Sequence, residues 1–210
     1  MILDELFYEF DTAVYLFFWQ FQNTVTIGIA DICQYLGNSV AFIVYFAVSL
    51  FLCIPKKTRK YGAAMTVAFL IAFLLVNVLI KPCAARQRPY ITLEGTPFWE
   101  TYQTYWINAG SNFEDDLSFP SGHTSLNYSV FTALSAVLVK VRKKRAWLFL
   151  MLIPIIVGIT RIIRCVHYPS DVLGGMIIGI AAGLIGYLVS RHFFIIKKPS
   201  VVEADQLSSE

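Results

Sequence analysis

Five long apolar runs constrain this chain more than any other feature: 37–54, 61–80, 124–139, 146–163 and 172–190. About 20 apolar residues wound as a helix cross a hydrocarbon core roughly 30 Å thick. Lipid also offers the backbone no hydrogen-bond partners, so a spanning segment must satisfy its own, as a helix does. The expected fold is therefore all-α, an integral membrane helical bundle with five transmembrane helices. Composition agrees, because 57% apolar and 15% charged residues are greasier and less charged than a soluble domain of 210 residues usually is.

The first 36 residues read differently. Segment 3–19 is apolar and aromatic but carries Glu5, Glu9 and Asp11, and 23–35 is short with Asp31 inside it. Interfacial or half-buried helices are expected over 1–36, with a sixth span as the alternative. The N-terminus lacks the basic n-region of a secretory signal. The membrane domain is expected over 37–198, followed by a polar, acidic tail at 199–210 that should be disordered in the cytoplasm.

Charge then orients the bundle. Twelve of the seventeen Lys and Arg fall in three clusters: Lys56, Lys57, Arg59, Lys60; Lys140, Arg142, Lys143, Lys144, Arg145; and Arg191, Lys197, Lys198. They follow the first, third and fifth runs, the alternation that five crossings require, and basic loops favour the cytoplasm. The net charge of +3 is thereby explained by orientation, and no nucleic-acid partner is expected.

Five cations remain, Lys81, Arg86, Arg88, Arg161 and Arg164, and they belong to the opposite, extracytoplasmic face with His123, His167 and Asp171. Lys81, Arg86 and Arg88 sit just past the second run, where Lys and Arg supply donors suited to phosphate oxygens; a solvated basic loop at the headgroups is the plainer reading of that segment alone. Pro120-Ser121-Gly122-His123 reads as a turn and helix start, a place where backbone N–H groups receive anions. A histidine there, with both protonation states accessible, can hand a proton to a leaving oxygen. Arg161 lies inside an apolar run, and a guanidinium at that depth needs an anionic partner, either Asp171 or a bound phosphate. Arg164 has the option of snorkelling to the interface. His167 and Asp171 are four residues apart, and a carboxylate bonded to one ring nitrogen leaves the other free to attack.

K-x6-R-P at 81–89, P-S-G-H at 120–123 and R-x5-H-x3-D at 161–171, in this order and each at a membrane boundary, resemble the type 2 phosphatidic acid phosphatase superfamily. The resemblance implies that His167 attacks phosphorus to give a phosphohistidine, that Asp171 orients it, and that His123 protonates the leaving group and later activates water. It also implies that Lys81, Arg88, Ser121, Gly122 and Arg161 hold the phosphoryl oxygens. Phosphoryl transfer asks mainly for positioning and preorganised charge, so neither a cofactor nor a metal is expected. Thr160 stands where the family pattern has Ser, and Arg164 and Cys165 stand where small or apolar residues are usual, which bears on the pocket wall.

The substrate implied is a lipid phosphate or diphosphate in the bilayer, with undecaprenyl diphosphate first by analogy with short bacterial members. Phosphatidic acid and phosphatidylglycerol phosphate are the alternatives. From another class, a lipid-phosphate binder or transporter would use the cations without turnover, and a soluble-type haloperoxidase is disfavoured by the spans. Phe98, Trp99, Tyr102, Tyr105 and Trp106 suggest an interfacial helix within 91–118. The carboxylates of that loop, Glu94, Glu100, Glu114, Asp115 and Asp116, are expected to face water or cap helices, since they would repel a phosphate. Gly175, Gly179 and Gly183 permit close helix packing, within the chain or across a homodimer. Cys33, Cys53, Cys83 and Cys165 show no metal or redox spacing and read as unpaired thiols.

Overall fold

A computed structural model of the chain describes residues 2–195, and the regular elements among them are all helical. The expected tail at 199–210 lies outside the described residues, as do Lys197 and Lys198 of the third basic cluster. In chain order the α-helices are α1 (Ile2–Trp19), α2 (Thr24–Gln34), α3 (Ser39–Cys53), α4 (Arg59–Phe73), α5 (Lys81–Ala84), α6 (Pro89–Thr92), α7 (Trp99–Asn108), α8 (Gly122–Arg142), α9 (Leu152–Ile163) and α10 (Pro169–Ser190). A π-helical segment, Leu74–Ile80, joins α4 to α5, and a 3-10 segment, Arg145–Met151, leads into α9.

Four helical stretches are long and apolar enough to cross a membrane: Arg59–Thr92, Gly122–Arg142, Arg145–Ile163 and Pro169–Ile195. The remaining expected span is a bent pair, α2 and α3, which meet at 52° and bring the number to five if the pair is one crossing. The break has a local cause. Asn38 accepts a bond from the Ala41 amide at 2.9 Å and so starts a new helix rather than continuing the old one. No other helix among the described residues supplies a sixth span; α1 carries Asp4, Glu5, Glu9 and Asp11 along its 18 residues.

The bundle is centred on α4, α8 and α10. A Cβ at Gly175 would fall 2.7 Å from the Ser121 carbonyl oxygen, one at Gly179 2.5 Å from that of Ser125, and one at Gly183 2.5 Å from Thr132 Cβ. The glycine stripe is thus used within the chain, letting α10 lie against α8, and it no longer argues for a homodimer. At one end Ser190 Oγ donates to the Lys60 carbonyl at 2.6 Å, joining the end of α10 to the start of α4. At the other, Gly122 stands beside Asn77, so α8 runs back toward the first basic cluster. The clusters around Lys56 and Lys140 therefore share one end, and Lys81, Arg88 and Arg161 occupy the opposite one.

The aromatic loop, expected at headgroup level, contributes to the core. Tyr102 of α7 is fully buried with Tyr15, Trp19, Tyr90 and Tyr168, and Trp19 stacks on Tyr105 at 4.5 Å between ring centroids. Helix α1 is consequently packed onto the protein along one face, with Asp11, Tyr15 and Trp19 all buried.

Candidate active site

The segment between α9 and α10 holds His167 in a tight turn. Cys165 takes a left-handed conformation (φ 56°), and Pro169 opens α10 in the position where its missing N–H costs nothing. The carbonyls of this turn are individually tied down: Gln22 Nε2 donates to Ile163 at 2.9 Å, Tyr102 Oη to Cys165 at 2.5 Å, Arg88 Nη1 to Val166 at 2.7 Å and Tyr15 Oη to His167 at 2.7 Å.

Asp171, one turn into α10, accepts the Tyr168 amide at 2.9 Å on Oδ2, the reach-back that caps a helix start. The same oxygen lies 3.3 Å from His167 Nδ1 and accepts from Ser118 Oγ. On the other side of the ring, Arg88 Nη1 is 2.9 Å from His167 Nε2. A guanidinium can only donate, so Nε2 must present its lone pair and the ring proton must sit on Nδ1, against Asp171. Burial, reinforced by Arg88, Arg161 and Lys81, holds the His167 pKa well below the ordinary imidazole range, so the ring is neutral.

Lys81, Arg88 and Arg161 converge on this ring from three elements. Lys81 follows the π-helical segment, a distortion that is frequent at functional sites, and Ala85 ends the helix in a left-handed conformation (φ 47°) that turns the chain toward Arg88. All three cations are buried. Their partners are Glu114 and Asp116: Glu114 bonds Arg161 and, at 3.3 Å, Arg88, while Asp116 bonds Lys81 and Arg88. This corrects two expectations. Glu94, Glu100 and Asp115 are exposed as anticipated; Asp116 is exposed too and Glu114 half-buried, yet both are drawn onto the three buried cations, which need counter-charges. Arg161 pairs with Glu114 rather than Asp171, and its buried Nε has no hydrogen-bond partner among the described residues.

Ser121 caps α8, accepting from the Thr124 amide at 3.4 Å and from Thr124 Oγ1 at 3.0 Å, while its own N–H donates to the Asp171 carbonyl at 3.0 Å. A Cβ at Gly122 would meet only Asn77 Oδ1, at 3.9 Å, so the space before it is open. His123 is wedged by the α2–α3 break: a Cβ at Gly37 would fall 2.1 Å from its Cδ2, and Phe42 lies edge-on to the ring at 6.2 Å. A cavity of about 510 Å³ is lined by Lys81, Arg88, Gly122, His123, Arg161 and His167, together with Glu114 and Asp116. Ser121 and Asp171 stand behind this wall rather than in it.

Arg86, expected only as one of the loop cations on the site's face, organises the site's back. It is fully buried and donates from Nη1 to Asp171 Oδ1 at 2.8 Å and to Ser170 Oγ at 2.7 Å, from Nη2 to Asp11 Oδ2 at 2.9 Å and from Nε to Asp4 Oδ1 at 2.8 Å. Its Cζ also lies 3.7 Å from the centre of the Tyr168 ring. Asp11 Oδ1 accepts the Ser170 amide at 2.7 Å, so α1 caps α10 from outside. Arg164 does not snorkel but pairs with Asp31 and Asn112. Thr160 bonds its own helix through Val157, at 2.7 Å, and stays out of the pocket.

A neutral histidine backed by a carboxylate and faced by three cations thus stands at one end of a helical bundle whose apolar outer faces define a multi-pass membrane protein. The chain belongs to the PAP2 superfamily, whose model matches residues 58–194. It is 31% identical over 147 residues to the bacitracin transport permease protein BcrC of Bacillus licheniformis, covering 68% of this chain and 64% of that one. It is 29% identical over 136 residues to an undecaprenyl-diphosphatase of Sulfolobus acidocaldarius, covering 65% and 58%. The matched part is thus less than two thirds of either relative. The crystal structure of a transmembrane PAP2 type phosphatidylglycerolphosphate phosphatase from Bacillus subtilis superposes with a TM-score of 0.68 over 90% of this chain and 88% of that one, at 23% identity, and so shares the fold.

Proposed function

We propose that the chain is a membrane phosphatase that hydrolyses a lipid phosphate or diphosphate through a phosphohistidine on His167. The observation that carries this reading is the pair of bonds on the His167 ring, which leave Nε2 unprotonated and Nδ1–H directed at Asp171. In the reaction, Nε2 attacks phosphorus while the bond to the leaving oxygen breaks, and His123 gives that oxygen its proton. His123 then takes a proton from water as it attacks the phosphohistidine, releasing inorganic phosphate and restoring the neutral ring. Lys81, Arg88 and Arg161 neutralise the charge that spreads over the equatorial oxygens, with the Gly122 backbone beside them. Ser121 serves by holding the start of α8.

Undecaprenyl diphosphate is the first substrate on this reading, supported by the name of the Sulfolobus relative. Phosphatidic acid and phosphatidylglycerol phosphate follow. The basic clusters at the far end of the bundle support a cell-membrane enzyme with its site on the extracytoplasmic side. The test is phosphate release by the purified full chain from these three lipids, with His167→Ala and His123→Ala alongside. Loss of turnover in both variants is expected; full activity in His167→Ala overturns the mechanism. A non-catalytic binder or transporter has the name of the Bacillus licheniformis relative in its favour, and the same variants decide, since that role does not need the histidines.

A further inference from the structure

The positions that phosphate oxygens would take around Lys81, Arg88 and Arg161 are already held by carboxylate oxygens. The Glu114 backbone is fixed by Tyr90, whose Oη donates to the Glu114 carbonyl at 3.0 Å and lies 3.0 Å from its amide. The Asp116 carbonyl accepts from Arg88 Nε at 2.9 Å, and the Ser118 amide donates to the Arg86 carbonyl at 2.8 Å. The segment is therefore anchored as backbone, and only its side chains need to move. They are also the exposed members of the cluster: the side chains of Asp116 and Glu114 are 54% and 26% accessible, against 7%, 2% and 1% for Lys81, Arg88 and Arg161. Burial raises the Asp116 pKa, but Arg88 and Lys81 outweigh it and hold the group below the ordinary carboxylate range, so it is charged at neutral pH.

We infer that Glu114 and Asp116 are specificity residues: they set the charge a headgroup must bring, admitting terminal phosphomonoesters and diphosphates and refusing phosphodiesters. This rests on the reading of the site as a phosphoryl site. Three buried cations face two carboxylates. A phosphate monoester carries close to two negative charges near neutral pH and offers three free oxygens, so it replaces both carboxylates without lowering the counter-charge on the cluster. A phosphodiester brings one charge and two free oxygens; expelling two carboxylates for it strips the cluster of a counter-charge, a costly exchange for buried cations. The carboxylates swing outward into water when displaced, which their exposure permits. Arg88 links this exchange to reactivity, because the guanidinium that bonds Asp116 and Glu114 also occupies the lone pair of His167 Nε2. A phosphoryl group that draws Arg88 onto its own oxygens frees the nitrogen at the moment it arrives.

The experiment measures competition. Hydrolysis of a lipid phosphate by the full chain in mixed micelles is titrated with phosphatidylglycerol, a phosphodiester anion, against equal surface dilution by a neutral lipid. It is run for the unaltered protein and for Glu114→Gln/Asp116→Asn. The unaltered protein should show dilution only; the double variant should be inhibited competitively, its inhibition constant for phosphatidylglycerol falling at least about tenfold, the worth of one charge-assisted hydrogen bond. Equal indifference to phosphatidylglycerol in both proteins overturns the inference. A second arm needs no variant: inorganic phosphate should inhibit the unaltered protein where dimethyl phosphate at the same concentration does not, and equal inhibition by the two also overturns it. If the unaltered protein hydrolyses none of the lipids, the reading of the activity fails separately. Calorimetric titration with phosphate and with dimethyl phosphate then tests the charge selection by binding alone.

Discussion

Arg86 Nη1 lies 2.8 Å from Asp171 Oδ1, while His167 Nδ1 lies 3.3 Å from the other oxygen of the same carboxylate. The carboxylate is clamped from behind by one group and meets the ring with what is left. Asp11 and Asp4, the other two carboxylates on Arg86, come from α1, which precedes the segment matched by the family model. Helix α1 therefore reaches the Asp171 carboxylate through the Arg86 guanidinium, beside the Tyr15 hydroxyl on the His167 carbonyl and Asp11 at the Ser170 amide.

Arg86→Ala should lower thermal stability and turnover together, because removing one member of a buried ionic cluster costs roughly 3–5 kcal/mol. Arg86→Lys should not rescue it, since an ammonium cannot serve partners on Nε, Nη1 and Nη2 in their fixed fork. Asp11→Asn keeps the shape and removes one charge, so it should fall between the unaltered protein and Arg86→Ala. A positioning role predicts that Arg86 variants lose kcat more than they raise KM, measured on protein that still folds; an equal loss in both would leave only a structural part for Arg86.

The acid limb of kcat/KM should lie below about 6.5, the ordinary imidazole value. The sign follows from His167: burial, Arg88, Arg161 and Lys81 all disfavour its cationic form, so the neutral nucleophile persists as pH falls. Arg88→Gln removes one of those cations and should move the limb upward while lowering the rate on the order of 10²–10³-fold, the usual cost of one positioned donor. A pH–rate profile of both proteins checks it, and an acid limb above the ordinary value in the unaltered protein would contradict it.

Gly37→Ala should impair catalysis from outside the family motifs. The new methyl would fall 2.1 Å from His123 Cδ2 and 2.9 Å from its Cβ, so the whole residue must shift rather than only its ring. A displacement of about 1 Å near a reacting group can cost roughly 10²-fold in rate. Gly28→Ala is the control, on the same N-terminal pair of helices, where an added Cβ meets nothing within 4 Å. Turnover should drop in the first and hold in the second.

The parts of the site that the chain spells locally were readable. His167 and Asp171 are separated by one helical turn, Ser121 and His123 begin a helix, and the basic clusters alternate with the apolar runs, so spacing and charge determine where each lies. Arg86 with Asp4 and Asp11, and Arg161 with Glu114, are pairs set by tertiary packing across 47 to 82 residues. Spacing carries no information about such partners. A usable signal exists in one case: a carboxylate at Asp11 within an apolar helix needs a counter-charge, as Arg161 does inside its apolar run. Repulsion from a phosphate alone predicts that Glu114 and Asp116 avoid the site; attraction to three buried cations outweighs it.

The last prediction separates the packing of α10 from the chemistry at its start. Gly175 lies one turn past Asp171, and a Cβ there would fall 2.7 Å from the Ser121 carbonyl oxygen and 3.3 Å from the Ser125 amide. Gly175→Ala must push the start of α8 away from the start of α10, stretching the 3.0 Å bond from the Ser121 amide to the Asp171 carbonyl. Gly183→Ala makes an equally tight contact, 2.5 Å to Thr132 Cβ, but two turns further into the bundle. Both should lower thermal stability, by about 1–3 kcal/mol for an overpacked contact. Only Gly175→Ala should also lower kcat, because it alone moves Gly122 and His123 relative to His167. Thermal unfolding and turnover of the two variants, compared side by side, check this; equal kcat in both would mean that the mouth of the bundle tolerates the shift.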